Sequence, residues 1–430
     1  MLNSEDFNSP TLKRLEADGT LRTELHPTTQ TLIKQMARYG GLSNRISVPF
    51  ARRQMQKMMP LVAAKPSVAS VIDRTVSGTA GSVPIRVVTP HTGRDVRPAI
   101  VWFPGGGFVL GDLETAEPTA RSLANRLGAI VVCVDYRKAP EHLVDEAYDD
   151  GMSTVRWVFS NAADLGIDAT RICVGGDSAG GNIAAVVAQE WTVEHPDQPL
   201  AAQALIYPST SGENEPARLR NIESGTLNES SMRWFELHVA GTMDPDSARY
   251  SPLATPDLRG LPPAVIVTAG WDPLRDEAIV YFDRLRDADV RAEHLHYSDD
   301  VHGFLTMDLV LDNGPVALDA VADLLGDMLE LEEADRSITE LSPLEQLRSD
   351  FDLRTRRTKT AARYALERMT HAQIKSQRWL IRNCGLPSGR DVEGLSSQVK
   401  RLENQVRTLR RQLDRQDAAS SEELTDSGSA

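Results

Sequence analysis

Hydrophobic and polar positions change their rhythm near residue 76 of this chain. Before that point apolar residues recur at helical spacing, and Pro27 and Pro49 stand where the first turns of two helices would begin. The pattern predicts helices without strands over residues 1 to about 75. Three methionines belong to the second helix, where they either pack against the main body or line an adaptable apolar pocket: Met55, Met58 and Met59.

After residue 76, short apolar runs alternate with stretches of helical period. The predicted strands are residues 83–87, 99–103, 129–134, the run from 172 up to the GGDSAGG segment, 202–207, 264–268 and 294–297. Helical stretches lie between most of them, at 118–127, 147–162 and 274–288. Strands that alternate with helices indicate an α/β fold with a mostly parallel sheet covered on both faces. Active residues are then expected at the carboxyl ends of the strands.

A G-x-S-x-G pentapeptide, Gly176 to Gly180, follows one of these strands, and residues 182–190 continue at helical spacing. Strand, sharp turn and helix would raise the Ser178 hydroxyl above the sheet edge, because the glycines allow a strained, close-packed turn. The helix behind the serine would present unpaired N–H groups. The pentapeptide alone fits a Gly/Ser-rich loop equally well, so partners for the serine are required.

Two other strand ends carry residues of interest. Three glycines, Gly105 to Gly107, follow residues 99–103, where their N–H groups can face a cavity. Asp272 follows the strand at 264–268 and precedes a helix. By itself Asp272 fits a helix N-cap as well as a catalytic acid.

His302 lies in a loop just past the last predicted strand, whereas His294 and His296 lie within it and are predicted to be structural. The order Ser178, Asp272, His302 is that of nucleophile, acid and base in α/β-hydrolases. His302 would take the serine proton and return it to the leaving group, and Asp272 would orient the imidazole and stabilise its charged form.

Four motifs in this order resemble the hormone-sensitive lipase-like family of bacterial esterases: GGGFVLGD, DYRKAPEH, GDSAGGN, and LPPAVIVTAGWDPLRDE followed by VHGF. The resemblance covers roughly residues 20–335. It implies an α/β-hydrolase domain at 76–335, an N-terminal helical cap at 1–75 and a second cap piece at about 209–245. It also implies hydrolysis of carboxylic esters of short to medium acyl chains, without a metal or organic cofactor.

Carried over by position, the resemblance gives the triad Ser178, Asp272 and His302 and an oxyanion hole formed by the N–H groups of Gly106, Gly107 and Ala179. Pro104 is a departure, because the family usually has histidine there. Proline cannot make that side chain's hydrogen bonds. A displaced loop would weaken oxyanion binding, at a cost on the order of 3 kcal/mol per lost donor.

Composition places the chain among soluble globular proteins, with 41% hydrophobic and 25% charged residues. Net charge is −14, yet residues 348–416 hold 17 Lys and Arg against 7 Asp and Glu. The 3 cysteines are too few and too scattered for a disulfide framework or zinc site, which fits a reducing cytoplasm. No secretory signal and no apolar run of about 18 residues is recognisable, so a cytoplasmic location is predicted.

The basic region divides into several predicted segments. Residues 336–353 are charged and broken by Pro343, which predicts a linker. Residues 354–390 predict a basic amphipathic helix with Trp379 near its end, suited equally to an anionic interface or to a partner helix. Nucleic acid is the less favoured partner, because no binding fold accompanies the charge.

Residues 391–416 carry a heptad seam, which predicts a coiled coil and a homodimer or higher oligomer through residues 392–413. The seam consists of Val392, Leu395, Val399, Leu402, Val406, Leu409 and Leu413. Residues 417–430 are rich in Ser, Glu and Asp and predict a disordered tail.

The C-terminal end also resembles the C-termini of polyhydroxyalkanoate synthase subunits and granule-associated proteins, over roughly 35 residues. That resemblance implies contact with a storage-polymer or lipid inclusion or a membrane surface. Two functions are therefore considered. One is a serine carboxylesterase acting on intracellular acyl esters, and the other is an inclusion-bound scaffold whose hydrolase domain has become a binder through its altered oxyanion loop.

Overall fold

An eight-stranded sheet organises the part of the chain that the computed structural model describes, which is residues 21–39, 46–79, 81–91, 95–211, 226–242 and 249–331. All of these belong to one compact unit, Met1–Glu340. The predicted linker at 336–353, the basic helix at 354–390, the coiled coil at 391–416 and the tail at 417–430 lie outside the described residues.

The strand order in the sheet is β1-β2-β4-β3-β5-β6-β7-β8. β1 pairs with β2 and β2 with β4 in antiparallel fashion, and every pair from β4 onward in that order is parallel. The α/β prediction is thereby confirmed. The strands are β1 Ser70–Gly78, β2 Gly81–Thr89, β3 Arg97–Phe103, β4 Ile130–Val134, β5 Ile167–Asp177, β6 Ala202–Ile206, β7 Ala264–Trp271 and β8 Ala292–Val301.

Helices cover both faces of the sheet. Within β3, Val101 and Phe103 join the core beneath one set of helices, and Ile100 and Trp102 join the core beneath the other. This alternation is the two-residue period of a strand buried on both sides. The helices are α1 Pro27–Tyr39, α2 Val48–Val62, α3 Leu113–Leu127, α4 Val144–Ser160, α5 Ala162–Leu165, α6 Ala179–Glu194, α7 Glu229–Val239, α8 Arg275–Asp287 and α9 Asn313–Met328.

The expectation of no strand before residue 75 was wrong, because β1 begins at Ser70. Among its nine residues only Val76 is buried, and positions 72–75 are exposed. β1 is an edge strand defined by backbone pairing with β2 and by a bridge from Asp73 to Arg86 of 2.7 Å. A strand with one buried side chain has no hydrophobic period for a sequence pattern to detect.

The two predicted helix starts are present, since α1 begins at Pro27 and Pro49 is the second residue of α2. Met59 is buried with Val62 and Ala63, and Met307 packs against this cluster. Met59 therefore packs against the main body and does not line an open pocket.

The N-terminal segment is attached to the end of β8. Thr23 N–H donates to the Ser298 carbonyl at 3.1 Å, and His26 N–H donates to the Asp299 carbonyl at 2.9 Å. The Thr29 hydroxyl donates to the buried Asp300 carboxylate at 2.9 Å. The N-terminal segment thus fixes the stretch of chain that leads to His302.

His294 and His296 are structural, as predicted, and share the hydroxyl of the buried Thr268. His296 Nε2 lies 3.0 Å from the Leu21 carbonyl, which only accepts, so this nitrogen carries the proton. In the neutral ring Nδ1 then accepts from the Thr268 hydroxyl at 2.8 Å, and the same oxygen accepts from His294 Nε2 at 2.7 Å. The bond from the Thr268 hydroxyl requires that His296 is neutral, and burial lowers the pKa of both rings.

Acid is therefore expected to weaken the fold at this site. Burial lowers the pKa of His294 from 6.5 to about 4, so only the unfolded chain binds that proton between these values. The neutral His294 ring therefore contributes fully to the unfolding free energy above about pH 6.5. As the pH falls toward 4, about 2 kcal/mol of that free energy is lost, a value reduced because the ring keeps some exposure.

Urea unfolding at pH 7, 5.5 and 4 measures this. His294→Gln should lower the unfolding free energy most at pH 7, and its difference from the wild type should narrow as the pH falls. His91→Gln, at an exposed position, is the matched control. A difference between wild type and His294→Gln that stays constant with pH would contradict the assignment.

Candidate active site

Ser178 occupies a strained turn between β5 and α6, with φ 57° and ψ −121°. An ideal Cβ on Gly176 would lie 2.5 Å from the Phe103 carbonyl oxygen, and one on Gly180 would lie 2.6 Å from the Phe103 carbonyl carbon. Only glycine fits at either position. The same lack of side chains lets the end of β3 contact the serine turn.

Ser178, His302 and Asp272 are brought into one chain of hydrogen bonds. His302 Nε2 lies 2.9 Å from Ser178 Oγ, and His302 Nδ1 lies 2.8 Å from Asp272 Oδ2. Because an ionised carboxylate only accepts, Nδ1 carries the proton and Nε2 is left to accept from the serine hydroxyl. This is the tautomer that a general base requires.

Asp272 is not the N-cap of α8, because Leu274 occupies that position, but its carboxylate holds the turn before the helix and also His302. Its side chain is completely buried, and Oδ1 accepts from Leu274 N–H at 2.8 Å in the turn that leads to α8. The other oxygen holds His302. The turn therefore fixes the carboxylate, and the carboxylate fixes the ring.

Two further residues hold His302, and sequence reasoning did not identify either. The Tyr207 ring lies 4.7 Å from the imidazole centroid to centroid, and Tyr207 is itself buried. The Thr226 hydroxyl donates to the His302 carbonyl oxygen. Tyr207 was visible only as the end of a predicted strand, and Thr226 belongs to no motif.

The glycine loop lies beside the serine turn. Gly106 and Gly107 have φ values of 138° and 59°. A Cβ on Gly106 would lie 2.5 Å from the Leu110 backbone, and one on Gly107 would lie 2.6 Å from Phe235 Cγ. Ala179 is the first residue of α6, so its N–H has no acceptor in a preceding helical turn. These are the three residues assigned to the oxyanion hole by position.

Two hydrogen bonds hold the loop at Pro104 and Gly105. The Pro104 carbonyl accepts from the buried Tyr136 hydroxyl at 2.7 Å, and the next N–H, that of Gly105, donates to Asp177 Oδ1 at 3.1 Å. Both bonds involve the backbone of the loop, so neither needs a side chain at position 104. Tyr136 and Asp177 were not singled out from the sequence, because Asp177 occupies the variable position of the pentapeptide.

Asp177 adds a second carboxylate to the site. Its Cγ would lie 3.1 Å from a Cβ on Gly105, so it packs directly against the loop. Burial raises its pKa to about 6, although the Gly105 N–H and the charge of His302 act in the opposite direction. A carboxyl group with this pKa is mostly ionised at pH 7, and its negative charge lies near His302.

Other nucleophiles and metal ligands are poorly placed. Burial raises the pKa of the Cys133 and Cys173 thiols to about 12, so neither forms a thiolate at neutral pH. Across the described ranges, no group of three or more His, Cys, Asp or Glu side chains is arranged to hold a metal ion.

Comparisons with known proteins identify the fold and the relatives of this chain. A family model described as the alpha/beta hydrolase fold matches residues 100–306. Esterase LipI of Mycobacterium tuberculosis is 38% identical over 260 residues, 59% of this chain and 81% of the relative. Carboxylesterase NlhH of the same organism is 37% identical over 309 residues, 70% of this chain and 93% of the relative.

A solved structure is also similar to this chain. It is an ester hydrolase from the metagenome of Lake Arreo in complex with a derivative of bipyridine phosphonate. The two chains are 36% identical with a TM-score of 0.67, over 71% of this chain and 99% of that one.

The contact between Asp177 and the loop predicts an effect on the reactivity of Ser178. Asp177→Ala removes a charged acceptor worth about 1.5–3 kcal/mol, so a fluorophosphonate probe should label Ser178 about 10- to 100-fold more slowly. Asp177→Asn keeps an acceptor oxygen and should stay within about threefold of the wild type. Labelling rates are followed by intact-protein mass spectrometry.

Asp164→Ala, at an exposed position on α5, controls for the loss of a carboxylate elsewhere. Thermal unfolding of each variant tests whether the fold is kept. Labelling of Asp177→Ala at the wild-type rate would show that the loop does not depend on this carboxylate.

Proposed function

Because the chain belongs to the hormone-sensitive lipase-like family of α/β-hydrolases and is a carboxylic ester hydrolase, we propose that it cleaves esters through Ser178, His302 and Asp272. The observation that carries this proposal is the unbroken chain of hydrogen bonds, 2.9 Å from Ser178 to His302 and 2.8 Å from His302 to Asp272. Each of the three residues follows a different strand of one sheet edge.

In the first half of the reaction, Ser178 Oγ attacks the ester carbonyl carbon as its proton passes to His302 Nε2. The Asp272 carboxylate stabilises the imidazolium that forms. The carbonyl oxygen becomes negative and binds the N–H groups of Gly106, Gly107 and Ala179. His302 then gives its proton to the departing alcohol oxygen, and an acyl-enzyme remains.

In the second half, water takes the place of the alcohol. His302 accepts a proton from the water as the oxygen attacks the acyl carbon, and it returns that proton to Ser178 Oγ when the acid leaves. No metal or organic cofactor takes part in this scheme. The substrates proposed are carboxylic esters with short to medium acyl chains.

The alternative, a binder with a weakened hydrolase domain, rested on the proline at position 104. The two bonds that hold the loop, Tyr136 to Pro104 and Gly105 to Asp177, argue against a displaced oxyanion hole. Catalysis is therefore the better supported function.

The C-terminal residues are the basis of a separate proposal about location. The basic stretch at 354–390 and the heptads at 392–413 would dimerise the enzyme and hold it at a lipid or polyhydroxyalkanoate inclusion in the cytoplasm. Support comes only from sequence pattern and from the short resemblance. In the described part of the chain, none of the helices has the length and apolar character needed to span a bilayer.

Hydrolysis of p-nitrophenyl acetate and butanoate tests the catalytic proposal. Ser178→Ala should lower kcat by about four orders of magnitude or more, and Asp272→Asn by at least about a thousandfold because the imidazole is left in the wrong tautomer. Ser160→Ala, an exposed serine, should hydrolyse at the wild-type rate. Activity that persists in Ser178→Ala, or that is absent from the wild type, would refute the mechanism and favour the binder.

Fluorescent fusions test the location. The full chain should form foci on inclusions in cells that store them, and a chain that ends at residue 347 should be diffuse because it lacks both the basic stretch and the heptads. Esterase activity of the shortened chain is the control for folding. Diffuse fluorescence from both would remove the inclusion proposal without affecting the catalytic one.

A further inference from the structure

Helix α7 (Glu229–Val239) is fixed in place by contacts with distant parts of the chain. Just before the helix, the Thr226 hydroxyl donates to the His302 carbonyl. Within the helix, the buried Trp234 donates from Nε1 to the Ile46 carbonyl at 2.9 Å. Beyond its end, the Thr242 carbonyl accepts from Val144 N–H at 2.9 Å. The helix is therefore held at both ends and near its middle.

Phe235 is the residue of α7 that reaches the glycine loop. An ideal Cβ on Gly107 would lie 2.6 Å from Phe235 Cγ and 2.7 Å from Cε1. Since a Cβ lies about 1.5 Å from Cα, the ring is in van der Waals contact with Gly107 on the side where a side chain would project. The ring thus fills the space beside a proposed oxyanion donor.

The Phe235 ring is supported from behind. Trp234 contacts it edge to face at a centroid distance of 5.3 Å, and Trp234 also meets the His238 ring at 4.3 Å. Phe235 itself is only half-buried. A partly exposed ring that is supported in this way is a rigid apolar surface next to the loop.

The chemistry decides which part of the ester meets this wall. The alcohol oxygen must lie within reach of His302 Nε2, because it receives the proton from that atom. The carbonyl oxygen points to the glycine loop, and Ser178 Oγ occupies the third position on the tetrahedral carbon. The acyl chain takes the remaining position, away from His302.

Phe235 is separated along α7 from the contact with His302. Thr226, which contacts the His302 carbonyl, precedes the N-cap Asn228. Phe235 is seven residues beyond Asn228, or roughly 10 Å along the helix axis. This separation from His302, together with the contact with Gly107, is the basis for placing Phe235 on the acyl side of the proposed site.

We infer that Phe235 is a specificity-determining residue whose ring sets the largest acyl chain that the site accepts. This inference rests on the proposed function. It assigns short, unbranched acyl chains as the preferred substrates. Larger acyl groups must compete with the ring for the space beside Gly107.

Two series of esters test the inference. In the first, p-nitrophenyl esters run from acetate to octanoate; in the second, acetyl esters carry alcohols of increasing size. Phe235→Ala should raise the octanoate-to-acetate ratio of kcat/KM about tenfold or more, since pocket volume discriminates by about this factor for small apolar groups. The ratios in the alcohol series should not change.

Two further substitutions at position 235 and one control variant are compared with Phe235→Ala. Phe235→Leu should shift the preference part of the way, and Phe235→Trp should reduce butanoate hydrolysis relative to acetate. Leu237→Ala is the matched control, because Leu237 lies on the same helix with 60% of its surface exposed. It should leave both series as in the wild type.

The outcomes distinguish a failure of the Phe235 assignment from a failure of the proposed function. If the wild type hydrolyses esters and the acyl ratio stays unchanged in the Phe235 variants, the inference fails while the proposed function stands. A shift in the alcohol series instead would overturn the assignment of Phe235 to the acyl side. Absence of hydrolysis from the wild type would defeat the proposed function itself. If Phe235→Ala unfolds, Phe235→Leu and Phe235→Trp, which keep an apolar side chain, decide the question.

Discussion

The close approach of β3 to the turn at Ser178 is the constraint on which the rest of the site depends. Gly176 and Gly180 bring the Phe103 carbonyl to a distance that excludes any side chain. The strained conformation of Ser178 costs on the order of 1–3 kcal/mol, which the surrounding sheet must sustain. As a result, the Ser178 turn and the glycine loop are joined through one contact between their backbones. Neither can shift without moving the other.

The fold and the chemical groups could be predicted because both follow local rules. Alternating strands and helices gave the α/β sheet, and the carboxyl ends of its strands gave Ser178, Asp272 and His302. The parts that were missed are contacts between distant segments. Asp177 binds Gly105, and Thr226 binds His302, through single side-chain to backbone bonds that leave no periodic trace. β1 escaped detection for a related reason, since one buried residue carries no pattern.

The support of His302 shows how far the site extends beyond the sheet. Asp272 holds the ring from the end of β7, and Tyr207 lies against it from the end of β6. The backbone is held by Thr226, while Thr29 of α1 binds Asp300 two residues earlier. Because His302 is held both by the sheet and by these outer residues, loosening the outer contacts is expected to shift the imidazole relative to Ser178.

The segment that contains α7 therefore makes two separate contacts with the site. Thr226, before α7, binds the His302 carbonyl, and Phe235, further along the helix, borders the glycine loop. Their contacts do not overlap, since one is a hydrogen bond to a carbonyl and the other is a ring against Cα. The size of the ring at 235 can thus change without touching the bond at 226. On the proposed assignment of Phe235, a change in the size of this one ring would alter acyl selectivity while the contacts that hold His302 stay the same.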